Sequence, residues 1–151
     1  MTYLPLSRVQ VRQGVALQLI LAGAIGLTPL PCSAATARQD LPQVQATERA
    51  QFHVRVQSET IPIPQRRIHA WRIHIADASG QPVSGAIVRV SGGMPEHHHG
   101  LPTQPTVTVS ATPGDYLMSG VRFSMRGRWV LTLQSRAGDG RSDVVTFSFV
   151  L

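Results

Sequence analysis

Residues 69–77 read HAWRIHIAD, and this stretch decides the fold. His69, Trp71, Ile73 and Ile75 fall on one face while Ala70, Arg72 and His74 fall on the other, the period of two that marks a half-buried strand. The turn ASGQPVSG follows, punctuated by Gly80 and Pro82. Farther along, AIVRV (86–90) is the next strand, and PTVTVSA (105–111) puts Val107 and Val109 inward with the threonines outward. Pro113-Gly114-Asp115 is a turn before a short strand over 116–119. Val121, Phe123 and Met125 then alternate with Arg122, Ser124 and Arg126 until Gly127 breaks the run. Trp129, Leu131 and Leu133 share a face, AGDGRSD reads as a hairpin turn, and Val145, Phe147, Phe149 and Leu151 share a face of the last strand.

With QFHVRV (51–56) as the first strand, the chain holds about seven short strands with a turn signal about every ten residues. The expected fold is all-β, an immunoglobulin-like antiparallel β-sandwich over residues 51–151. No stretch beyond residue 37 carries a helical period long enough to compete. Residues 38–50 (RQDLPQVQATERA) are polar and aperiodic, and read as a flexible linker.

The start of the chain has the layout of a secretory signal peptide. Arg8 and Arg12 precede the apolar run GVALQLILAGAIGL (14–27), and TPLPCSAATA follows with small residues suited to cleavage after Ala37. Residues 1–37 would then be removed, leaving a periplasmic or secreted protein. An uncleaved inner-membrane anchor is the alternative, although 14 apolar residues fall short of the roughly 20 that cross a bilayer. A lipoprotein at Cys32 fits poorly, because Pro31 stands where a small residue is needed.

Cleavage would remove the single cysteine, so disulfides and thiolate ligands are excluded from the exported protein. Residues 38–151 hold 12 arginines against 8 carboxylates, a net charge of +4 spread from Arg38 to Arg141. Nucleic-acid binding would need those cations on one face with aromatic residues between them, and no such patch is visible in the sequence.

The stretch SGGMPEHHHGLPTQP (91–105) is where chemistry concentrates. Met94 and His97 to His99 join a soft thioether to imidazoles, the donor set that suits copper. In an extended segment His97 and His99 project to one side and His98 to the other. Completion needs a ligand from elsewhere, and Met125, beside the break at Gly127, is the candidate. Zinc fits less well without cysteine. No G-x-S-x-G elbow, H-E-x-x-H helix or phosphate loop is present, so an enzyme is not expected.

The stretches GGMPEHHHGLPTQPTVT and GDYLMSGVRFSMRGRWVLTL, with the turn Gly80-Gln81-Pro82-Val83, resemble the exported YtkA-like/FixH-like domain family across about residues 66–151. The resemblance implies an immunoglobulin-like sandwich outside the cytoplasm, linked to copper handling or to assembly of copper-containing respiratory oxidases. Carried over onto this chain, Met94, His97, His99 and Met125 would be the family's polar and thioether positions brought to one end of the sandwich, and they are the candidate metal ligands. Two functions follow as expectations. One is a periplasmic copper-binding protein. The other is a metal-free interaction module that docks on a membrane or periplasmic protein partner.

Overall fold

A computed structural model describes residues 43–151. The expected signal peptide, Cys32 and the first residues of the expected linker lie outside the described residues. The described residues form nine strands: β1 (Gln43–Ala46), β2 (Phe52–Ser58), β3 (His69–Asp77), β4 (Ile87–Met94), β5 (His99–Gly100), β6 (Thr106–Val109), β7 (Asp115–Val121), β8 (Arg128–Arg136) and β9 (Ser142–Val150). One sheet has the order β1-β2-β3-β7-β6 and the other β5-β4-β8-β9. Every strand pair within them is antiparallel. The all-β antiparallel sandwich expected from the alternation is what forms.

Each alternating face supplies the core. His69, Trp71, Ile73 and Ile75 of β3 are buried, as are Trp129, Leu131 and Leu133 of β8 and Val145, Phe147 and Phe149 of β9. Residues 43–151 contain no cysteine, so burial carries the fold. Each fully buried large apolar side chain contributes about 1.5–3 kcal/mol. Polar bonds fix the alignment of the sheets. The Tyr116 hydroxyl on β7 donates to Val83 O and accepts from the Ala86 amide, which ties the connection leading to β4 of one sheet to β7 of the other.

Three local expectations change. Residues 43–50 are structured rather than linker: β1 pairs with β2, and Thr47 lies buried in the turn after it. The sequence hid this because an edge strand with polar side chains carries no alternation to read; its hydrogen bonds come from β2. Strand β4 runs through Ser91-Gly92-Gly93 to Met94, where a loop was expected. These residues pair with Val130, Leu131 and Thr132 of β8, whose length satisfies their backbone groups. Val109 faces the core side, opposite Tyr116 in register, yet is 58% exposed. It sits on edge strand β6, where the facing sheet no longer covers it.

Among the described residues, no helix is long and apolar enough to cross a membrane.

Candidate functional site

The histidine loop is built by a tight reversal between β4 and β5. Pro95–His97 form one 3-10 turn, with Pro95 pre-set for its first position, and His98 takes the left-handed conformation at φ 55° and ψ 32°. The chain then re-pairs, with Met94 opposite His99 and Gly93 opposite Gly100. Gly93 is needed there, since a Cβ on it would come within 2.3 Å of His99 O. The expected extended segment is thus a turn, but its outcome is similar: the His97 and His99 rings stack with centroids 6.1 Å apart. His97 and His98 are exposed, and His99 is half-buried.

The segment Met125 to Trp129 lies beneath this loop and meets it at successive points. The Trp129 ring, fully buried, takes the His99 ring in an edge-to-face contact at 5.5 Å. Its indole N–H donates to Met125 O at 3.1 Å. Arg128 Nε donates to Glu96 Oε1 at 3.1 Å, tying the 3-10 turn to β8. Gly127, at φ 130°, accommodates the Met94 methyl: a Cβ on it would lie 2.6 Å from Met94 Cε. Gly127 also exchanges two backbone hydrogen bonds with Leu151, each 3.1 Å.

The four candidate ligands therefore differ in standing. His97 and His99 are together and reachable. Met125 is 38% exposed, because β7 ends at Val121 and the chain bends before continuing the inward alternation expected of it. Met94 is 1% exposed and packed in the core cluster, so its thioether is shut off from solvent. Among the described residues no three His, Cys, Asp or Glu side chains gather in a way that holds a metal. The candidate donors at this loop are imidazoles and thioethers, a softer set than the carboxylates and carbonyls that hard cations take. Glu96, the nearest carboxylate in sequence, is engaged by Arg128.

Behind Trp129 the rings continue inward. Trp129 meets Phe123 at 5.0 Å, and Phe123 meets Phe149 at 5.2 Å, His69 at 5.4 Å and Trp71 at 6.1 Å. His69 is 8% exposed. Its Nδ1 donates to Arg67 O at 3.1 Å, and its Nε2 has no hydrogen-bond partner among the described residues. Burial pushes its pKa below the ordinary histidine value, against the smaller opposing effect of the Arg67 carbonyl.

Two polar pairings had no sequence signal. His74, on the outward face of β3, has its Nδ1 2.6 Å from Asp115 Oδ1 because the two are register partners on β3 and β7. Buried Asp143 accepts from the Thr47 hydroxyl at 2.6 Å and from the amides of Val144, Gln51 and Arg49. Burial alone would raise its pKa, but these donors outweigh it and hold the carboxyl at about 2. Both contacts are long-range consequences of strand pairing. A cavity of about 320 Å³ is lined by Gln57, Ser58, Glu59, Ile61 and Arg72, none of them in the histidine loop.

The family model described as YtkA-like matches residues 45–134, from within β1 to near the end of β8. A search of curated proteins gives no match. Among solved structures, the chain is similar to a DUF4426 family protein from Pseudomonas aeruginosa PAO1, at 16% identity and TM-score 0.54, over 72% of this chain and 96% of that one. It also aligns with the ZirS C-terminal domain at 12% identity and TM-score 0.40, over 94% of this chain and 95% of that one. At this identity the first likeness speaks to the fold alone.

Proposed function

This chain belongs to the YtkA-like family, and from that membership we propose that it is an exported, periplasmic copper-binding protein that holds or passes Cu(I). The observation that carries the reading is Trp129: its ring backs His99 while its N–H fixes the backbone of Met125, so imidazole and thioether donors come from two loops held by one side chain. His97, His99 and Met125 would hold the ion, with Met94 below them. Bound copper would supply a soft, exchangeable cation. The protein's part is to hold neutral imidazoles and thioethers in place, and no catalytic step is included.

The test is a Cu(I) competition titration against a chromophoric chelator, using tag-free protein. One equivalent of Cu(I) is expected to bind. The combined variant His97→Ala, His99→Ala, Met125→Leu is expected to lose it, and unchanged affinity there would remove the reading.

The burial of Met94 favours a second reading, a metal-free interaction module. Met94 would then be core, and the histidine loop a contact for a membrane or periplasmic protein, including the respiratory complexes that the FixH-like resemblance suggests. Wild-type protein that fails to compete for Cu(I) would favour this reading.

A further inference from the structure

The loop between β2 and β3 and the loop between β7 and β8 lie side by side. Gln65 forms an isolated bridge with Phe123, the Arg66 amide donates to Phe123 O at 2.7 Å, and Arg66 Nε donates to Ser124 O at 3.4 Å. Farther along, His69 pairs with Val121. This juxtaposition puts Arg66, Arg67, Arg122 and Arg126 on two adjoining loops that also carry two exposed apolar side chains, Ile68 at 67% and Met125. The ion pairs of the described residues engage Arg49, Arg72, Arg128, Arg141 and His74, so none of these four arginines is paired with a carboxylate among the described residues. Arg122 Nε is buried and has no hydrogen-bond partner among the described residues. Four arginines without counter-charge on adjoining loops are a source of positive field, which water and salt weaken but do not remove.

We propose that this pair of loops is a docking surface for an anionic phospholipid bilayer, with the arginines on headgroup phosphates and Ile68 entering the interface beside them. The inference is independent of copper. Guanidinium forks match phosphate oxygens, and each cation near an anionic leaflet contributes about a five-fold gain in binding. A bilayer is favoured over an acidic protein by the form of the apolar part. Ile68 and Met125 stand singly at bends in the chain, and none of the cavity-lining residues is among them. A lipid interface accepts isolated apolar side chains without a matching pocket, whereas a protein partner's energetic anchors fill pockets.

The test is co-sedimentation of the exported form, residues 38–151, kept metal-free with chelator, with vesicles of phosphatidylcholine alone or mixed 7:3 with phosphatidylglycerol. The mixed vesicles should bind the protein at low salt, the neutral ones should not, and 0.5 M salt should release it. The variant Arg66→Gln, Arg67→Gln, Arg126→Gln is expected to bind about 100-fold more weakly, and Ile68→Asp should also weaken binding. A control of equal charge change, Arg55→Gln, Arg89→Gln, Arg136→Gln, alters exposed arginines on β2, β4 and β8 and should lose only a few-fold. Unfolding midpoints near wild type establish that the variants fold. Absence of vesicle binding, equal losses in the two triple variants, or displacement by millimolar inorganic phosphate would each overturn the proposal.

Discussion

Trp129 holds two loops with one ring, and its two contacts separate by substitution. Trp129→Phe keeps an aromatic edge for His99 but removes the N–H that Met125 O accepts. A stability loss of about 1 kcal/mol is expected for the lost bond. If the copper reading holds, a drop in Cu(I) affinity should accompany it, because Met125 loses its anchor; chelator competition beside a denaturant titration reads the two separately. His69 acts through charge. Its folded pKa lies below the ordinary value, so the folded state resists a proton that the unfolded chain accepts. Stability is therefore full above the unfolded pKa of about 6.5 and falls as pH drops below it. In His69→Phe the slope of unfolding free energy against pH between 6.5 and 5 should flatten, and an unchanged slope would place the acid sensitivity elsewhere.

At the scale of elements, β4 and β8 fix where the histidine loop starts, and two glycines set how closely it packs. Gly127→Ala adds a Cβ at φ 130°, against the Met94 methyl. A loss of about 1–3 kcal/mol is expected, from the backbone strain of such a residue together with the clash. The double variant with Met94→Ala relieves only the clash, so it should be less destabilised than the sum of the single changes, which a double-mutant cycle of denaturation free energies checks. Much of this level was legible. The alternation in HAWRIHIAD, RWVLTLQS and DVVTFSFVL identified β3, β8 and β9 because each has one face in the core and one in solvent. Strand β1 and the Ser91–Gly93 part of β4 were not legible, since edge-strand and glycine backbones pair without any apolar pattern.

At the scale of the molecule, Asp143 ties the turn after β1 to β9, so the two sheets are joined by a carboxylate as well as by the core. With its folded pKa held at about 2, its contribution is present above the unfolded value of about 3.9 and is lost as pH falls toward 2. Asp143→Asn should cost about 2 kcal/mol at neutral pH, because the amide's own N–H groups meet backbone donors, and should flatten the acid limb of the stability curve below pH 4. Thermal unfolding across pH checks both effects. The sequence by itself determined the all-β sandwich, the core residues of its central strands and the clustering of thioether and imidazole donors, because period-two burial and local composition are written along the chain. Only the tertiary structure decided that Met94 is buried, that Met125 is turned out, that Trp129 bridges their loops and that the loops carrying Arg66, Arg67, Arg122 and Arg126 lie side by side. Those facts depend on which strands pair and in what register, contacts between residues far apart in sequence whose spacing carries no period to read.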